Sequence, residues 1–274
     1  YKNILNWRCI LRSNRLRQLL NEDKPSIAMH VSSPSPDLAE IIGKTGVVDY
    51  IEVLAEYWPY DLYDFDNFAR ATELNGISSM IKVDIENKTF VAQRAIGSGI
   101  QNILFSDTRT VEDAKACISA VRADTPQSGG RFGNADRRFS SYGLEGGTDE
   151  YVKVLDDCVI ALMIEKREAV ENLEDILSLG GIDMVTFGAN DYSLSLGKPR
   201  SFEKGDPEVK EAIEYTYKTA LKMGVHPRVA IGSPEAAIPW MEMGVKHFAM
   251  GTDWHIIYQF AKDDCGELRK MLEK

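Results

Sequence analysis

Val159-Ile160-Ala161-Leu162-Met163-Ile164-Glu165 is followed by the amphipathic stretch Arg167–Leu179 and then by a second short apolar run, Met184–Gly188. Read by period and length, this is strand, helix, strand. The same rhythm extends in both directions. Upstream, strands are predicted at Ser26–Ser32, Tyr50–Glu56, Ser79–Asp84 and Asn102–Asp107. Helices are predicted between them at Pro36–Gly46, Leu62–Gly76, Lys88–Gly99 and Thr110–Arg122, the last with Thr110 as N-cap and Glu112 and Asp113 in its first turn. Downstream, strands at Arg228–Gly232 and His247–Gly251 alternate with helices at Pro207–Gly224, Pro234–Gly244 and His255–Lys274. Strands alternating with helices imply βαβ units and a parallel sheet. Eight such units close into a (β/α)₈ TIM barrel, which takes roughly 250 residues; the chain has 274. The competing doubly wound sheet would want a glycine fingerprint after its first strand, and Ser32-Ser33-Pro34-Ser35-Pro36 offers none.

No second composition regime appears, so residues 1–274 read as a single domain. Residues 1–24 read as a helical lead-in without a signal-peptide core. Residues 123–147 break the rhythm with Pro126, many glycines and Arg131, Arg137 and Arg138. A loop this long is expected to be functional, here an anion-binding lid on the active-site side. Solvated loop charges are the alternative. The formal charge of −10 argues against a nucleic-acid partner. No apolar run approaches the roughly 20 residues that span a bilayer. Cys9, Cys117, Cys158 and Cys265 form no CxxC pair, so buried, reduced thiols in a cytoplasmic protein are expected.

In a barrel, chemistry collects at the C-terminal ends of strands. Those ends offer His30, Glu56, Tyr57, Lys82, Asp84, Asp107, Glu165, Lys166, Asn190, Asp191 and Asp253. Glu165 and Asp191 close adjacent strands. Two carboxylates converging in a partly dry pocket repel unless a cation or a shared proton sits between them. Oxygen ligands with waters suit Mg²⁺ or Mn²⁺, with Co²⁺ a further option. From spacing alone, two solvated loop acids fit equally well.

Several pieces together resemble one family. Leu162-Met163-Ile164-Glu165-Lys166, Ala169-Val170-Glu171-Asn172-Leu173, Gly181-Ile182-Asp183 and Gly188-Ala189-Asn190-Asp191-Tyr192-Ser193 resemble the metal-binding core of the HpcH/HpaI aldolases. Asn14-Arg15-Leu16, Lys24-Pro25, Gly244 and Gly251-Thr252-Asp253 extend the resemblance from about Asn14 to the C-terminus. These are class II, metal-dependent 2-oxo-acid aldolases of the phosphoenolpyruvate/pyruvate barrel superfamily. The resemblance implies that Glu165 and Asp191 ligate a divalent metal and that Gly188, Ala189 and Asn190 meet the substrate carboxylate. It also implies cleavage of a 4-hydroxy-2-oxo acid to pyruvate and an aldehyde, or the reverse. Relatives exchange the C-terminal helix between subunits, which implies a homo-oligomer, hexameric or built from dimers. The cluster Trp254, Ile256, Ile257, Tyr258 and Phe260 agrees with such an interface.

The proton-transfer half departs from the family. Where relatives carry Asp, then Glu-His, a small residue and Pro, this chain reads Leu54-Ala55-Glu56-Tyr57-Trp58-Pro59. Tyr57 thus takes the place of the base histidine, Lys82 that of a substrate-binding arginine and Met163 that of a glutamine. Lys82 can stabilise an enolate as a point charge or, less simply, form a Schiff base; a salt bridge to Asp84 or Glu56 is the structural alternative. Tyr57, with Trp58 and Tyr60, can equally be an aromatic wall. His30 is the other candidate base. Glu56 and Arg131 are candidate substrate-binding groups, whereas His226 and His247 are expected to be structural. Aldol chemistry, another enolate reaction (decarboxylation, C–C hydrolysis or tautomerisation) and a binding-only barrel all remain open.

Overall fold

The computed structural model describes residues 13–273. Eight parallel strands close into a barrel in chain order. They are β1 (Ser26–Val31), β2 (Tyr50–Val53), β3 (Ser78–Val83), β4 (Asn102–Phe105), β5 (Val159–Ile164), β6 (Met184–Phe187), β7 (His226–Ile231) and β8 (His247–Thr252). Strand parity divides their side chains between two cores. One set, including Ile51, Val53, Ile81, Ile103, Phe105, Ile160 and Leu162, packs outward against helices. The other, including Ala28, Tyr50, Met80, Leu104, Ala161, Met184 and Ala249, fills the lumen.

Helix α1 (Arg15–Asn21) adds Leu16 and Leu20 to the lumen cluster and so plugs the N-terminal mouth. Asn14 caps it, its side chain accepting from the Arg17 N–H and donating to Asn102 and the Asp157 carbonyl. Of the helical lead-in expected over residues 1–24, the first twelve lie outside the described residues. The outer helices begin with α2 (Pro36–Gly43), α3 (Leu62–Leu74), α4 (Lys88–Ser98), α5 (Val111–Val121) and α6 (Asp149–Asp156). Thr110 caps α5 in a reciprocal capping box with Asp113.

The predicted helix Arg167–Leu179 is broken at Asn172 into α7 (Arg167–Glu171) and α8 (Leu173–Leu177). After β6 come α9 (Ala189–Ser195) and α10 (Pro207–Lys222). The segment predicted as one helix over Pro234–Gly244 starts with a tighter turn before α11 (Ile238–Met243), because Pro234 and Pro239 each remove an N–H. The C-terminal stretch is α12 (Asp253–Phe260), a wide turn at Ala261–Cys265 and α13 (Gly266–Leu272). This stretch is exposed, with Ile257, Phe260 and Leu272 among its open side chains, and Ile27 of β1 and Met250 of β8 are uncovered too. Cys117 and Cys158 are buried as expected, whereas Cys265 is exposed on this terminal stretch; Cys9 lies outside the described residues.

The long loop is not on the active-site side. It leaves the C-terminus of α5 and leads through α6 into β5, so it belongs to the return to the N-terminal end of the barrel. Most of its contacts are with helix C-termini, Asp66 near the start of α3 being the exception. The Arg131 N–H donates to the Ser119 carbonyl, Arg138 pairs with Glu73 and donates to the Ser98 carbonyl, and Arg137 reaches Asp66 and Ser98. The arginines clamp α3 and α4 and do not form a lid over the strand ends. Arg131 is thereby removed from the substrate site. No helix among the described residues is long and apolar enough to cross a membrane.

Candidate functional site

The C-terminal ends of β2 to β6 bring together Glu56, Tyr57, Lys82, Asp107, Glu165, Lys166 and Asp191. Glu165, directly after β5, is only 3% exposed. Its Oε1 accepts the Asp107 N–H at 2.7 Å. Asp107 offers that N–H from the left-handed region, φ 52°, a costly conformation for a residue with a side chain. Gly188, after β6, forms the other wall: a β-carbon there would lie 2.4 Å from Glu165 Oε2 and 2.6 Å from Glu165 Cβ. Only glycine lets the two strand ends approach this closely.

Burial pushes the Glu165 carboxyl up to about 7, and the charges of Asp191 and Glu56 add to the rise against the opposing pull of Lys82. Asp191, in the first turn of α9, is held by Lys166 Nζ at 3.1 Å, and Lys166 also reaches Asp107 Oδ1 at 3.2 Å. Arg109 closes on the same Asp107 oxygen at 3.2 Å. Among the described residues no group of three or more His, Cys, Asp or Glu side chains converges on one metal position. The candidate donors are the two carboxylates Glu165 and Asp191. A buried carboxylate whose ionisation is disfavoured by its surroundings and by a neighbouring carboxylate is a group that a divalent cation would relieve, and hard oxygen donors suit Mg²⁺ with retained waters. The residues present fit such an ion.

Across the mouth stands the second half. Lys82, on β3 and 3% exposed, pairs with Glu56 and donates to the Tyr57 hydroxyl at 2.5 Å. Its ammonium also lies 4.4 Å from the Tyr57 ring centroid. Burial works against the Lys82 charge, but Tyr57, Glu56 and Glu165 together raise its pKa, so it stays an ammonium. Burial pushes the Tyr57 hydroxyl up to about 12, against the pull of Lys82. The salt bridge to Glu56 thus exists, and the same ammonium faces Glu165 and the tyrosine. Ala189 and Asn190 open α9 beside Gly188, whose N–H is tied to the Ile164 carbonyl at 3.0 Å.

His30, on β1, makes its direct contacts with a second charged group. Its Nε2 lies 2.9 Å from the Arg228 guanidinium and 3.7 Å from Glu52. Arg228 and Glu52 are each 1% exposed and pair at 2.6 Å inside the lumen. The sequence reading passed over both, although a lone charge in each of two apolar strands was a signal that they compensate one another. Asp107, Lys166 and Arg109 were also missed as a connected group. His226 and His247 face each other at the N-terminal end, 3.3 Å apart, with His247 against Ser26. That is the structural placement expected of them.

The sequence model of the HpcH/HpaI aldolase/citrate lyase family matches residues 28–255. A 2-keto-3-deoxy-L-rhamnonate aldolase of Escherichia coli (strain K12) is 27% identical over 255 residues, 92% of each chain. A hydroxypyruvate/pyruvate aldolase of Cupriavidus necator is 26% identical over 242 residues, covering 88% of this chain and 87% of that protein. Among solved structures, an HpcH/HpaI aldolase from Desulfitobacterium hafniense DCB-2 superposes with a TM-score of 0.82 at 21% identity, over 94% of this chain and 97% of that one. The (β/α)₈ barrel, with carboxylates and a buried lysine at its C-terminal mouth, thus has a defined lineage: the chain belongs to the HpcH/HpaI aldolase/citrate lyase family.

Proposed function

We propose that the protein is a divalent-metal-dependent carbon–carbon lyase that cleaves or forms a 4-hydroxy-2-oxo acid, with pyruvate or a similar 2-oxo acid and an aldehyde as the other side of the reaction. The carrying observation is the buried Glu165 carboxylate facing the Lys82 ammonium, with Asp191 beside it. Glu165 and Asp191 would hold the metal, Mg²⁺ first and Mn²⁺ or Co²⁺ as substitutes. When bound, the ion supplies Lewis acidity at the 2-oxo oxygen.

The chain's own groups do the rest. Lys82 places a fixed positive charge where an enolate oxygen develops, from a side chain that is itself buried. With the Glu56 carboxylate on the ammonium, Lys82 stays protonated, which favours this electrostatic part over an imine. Tyr57 keeps its phenolic proton at neutral pH. It can give that proton to the aldehyde oxygen during condensation, and the phenolate left beside Lys82 can take the methyl proton of the next pyruvate as its enolate forms; cleavage runs the same two transfers in reverse. Glu56 holds Lys82 at the mouth. Gly188, Ala189 and Asn190 offer close backbone to the substrate carboxylate. Because a phenol donates more readily than it abstracts near pH 7, the other enolate reactions, tautomerisation above all, form the second reading.

The aldolase names of the relatives at 25–27% identity support the lyase class and leave the substrate open. We extend the proposal to a cytoplasmic homo-oligomer, hexameric or dimer-based, in which another subunit covers the exposed faces of α12, β1 and β8. A monomeric mass by light scattering would remove that part. The test of function is exchange of pyruvate methyl protons into D₂O, followed by proton NMR with Mg²⁺ or Mn²⁺ and then with chelator. Metal-dependent exchange lost in Glu165→Gln supports enolate chemistry at this site; absence of exchange with every metal and 2-oxo acid offered refutes it.

A further inference from the structure

Beneath the mouth lies a charged layer that the proposed reaction does not use. Glu52 of β2 and Arg228 of β7 are each 1% exposed and pair at 2.6 Å inside the lumen. Arg228 also lies over the Tyr50 ring, 5.6 Å from its centroid. His30 of β1 rests on this layer, with its side chain 15% exposed.

The contact between Arg228 and His30 is directional. A guanidinium has only donors, so the His30 ring nitrogen 2.9 Å from it must be an acceptor. Nε2 is therefore unprotonated. A neutral imidazole that accepts at Nε2 carries its proton on Nδ1. The groups facing the ring pull in opposite senses. Glu52 at 3.7 Å and Asp253, after β8, favour a charged ring; Arg228 and the ammonium of Lys82 on β3 oppose it. Burial is the largest influence, and with Arg228 and Lys82 it brings His30 down to about 4 against the two carboxylates. Asp253 is itself occupied, accepting from the Ser32 N–H and hydroxyl.

We infer that Arg228 is a positioning residue that locks His30 as the neutral Nδ1–H tautomer, so that His30 serves the site as a fixed hydrogen-bond donor and takes no part in acid–base exchange. To act as a base, the ring would have to accept a proton at Nε2, and the guanidinium stands there. Proton transfer then falls to Tyr57, with the Lys82 ammonium beside it. The Nδ1–H suits an acceptor oxygen on the substrate, a carboxylate, carbonyl or hydroxyl. That donor part rests on the oxo-acid reading above; the tautomer does not.

The test uses the full-length protein labelled with ¹⁵N-histidine, without metal or substrate, so its outcome is independent of whether aldol chemistry occurs. Long-range ¹H–¹⁵N correlation spectra are recorded from pH 5 to 8.5, and His30 is assigned by loss of its signals in His30→Gln. The expected result is an unprotonated Nε2, a protonated Nδ1 and no titration of His30 across the range. In the charge-neutral pair Glu52→Gln/Arg228→Met, burial still keeps the His30 ring neutral, but the guanidinium no longer fixes the tautomer, so a signal from protonated Nε2 should appear. Arg228→Lys, which keeps a donor cation, should preserve the wild-type tautomer and serves as the second variant if the double one does not fold. A wild-type spectrum with the proton on Nε2, or with His30 titrating above pH 6, overturns the inference. So does a folded double variant whose His30 is unchanged.

Discussion

Replacing Gly188 by alanine tests the packing of the site with a single methyl. Gly188 has φ −96° and ψ 83°, which an L-residue can adopt, so the change brings no left-handed strain. The cost is steric. The new β-carbon would lie 2.6 Å from Glu165 Cβ and 2.4 Å from Oε2, whereas ordinary contact begins near 3.4 Å. The carboxylate end can rotate away; Cβ cannot, because it moves only with the backbone of β5. Inserting a methyl against such a neighbour costs about 1–3 kcal/mol. Relief must push Glu165 or the β6–α9 turn outward by most of an ångström. Disturbing a metal site's supporting geometry by that much weakens affinity about 10–100-fold. Urea unfolding of the metal-free protein measures the first quantity, and calorimetric Mn²⁺ titration measures the second. Gly232→Ala is the control, since a β-carbon there meets nothing within 4 Å. If Gly188→Ala matches wild type in both stability and Mn²⁺ affinity, the close approach of the two strand ends is not what shapes the site.

Further expectations follow from the same geometry. Tyr57→Phe should lower metal-dependent proton exchange by about 10²-fold, as loss of a general acid does, while Mn²⁺ affinity stays within twofold; unchanged exchange would return Tyr57 to a packing role. The Glu165 carboxyl, held up to about 7, binds a proton at pH values where the unfolded chain's carboxylate has already lost it. Unfolding therefore releases that proton, so this group's contribution to metal-free stability falls as pH rises from about 4.5 through 7. Chelator should consequently depress Tm more at pH 8 than at pH 6, and an equal depression at both would count against Glu165 as the metal ligand. At the opposite end, Arg17 grips both Asp183 oxygens at 2.7 Å, and Asp183 also accepts the Ile160 N–H at 2.8 Å. Asp183→Asn should cost about 2–3 kcal/mol in urea unfolding; a loss under about 0.5 kcal/mol would make the pair no stronger than an exposed one.

The order of strands and helices was legible because each element carries its own period. Seven of the eight strand ends ran one to three residues long in the sequence reading, and that of β8 one residue short: Glu56, Asp107 and Glu165 lie past the last paired residues, where the chain has already turned into the loops that carry the site. Glu165 and Asp191 could be read as a pair, since adjacent strands of a barrel must end side by side. The face of the long loop could not be read from its arginines, which look alike at either mouth. It could be read from chain order, because a connection from helix to strand always returns to the N-terminal end. Glu52 and Arg228 were hidden for a different reason. They are 176 positions apart, and only closure of the barrel lets each compensate the other.

The two arcs of the mouth are built from different materials, and this bears on how such a protein can change. The arc from β4 to β6 depends on main-chain features, the Asp107 N–H and the bare Cα of Gly188, around two carboxylates. The arc of β2 and β3 depends on side chains, Glu56, Tyr57 and Lys82. Substitutions on the second arc can alter which proton moves without touching the cradle of the first. A duplicated copy of this gene could therefore explore new reactions on an inherited cradle, one side chain at a time, with each intermediate still folded and its two carboxylates in place.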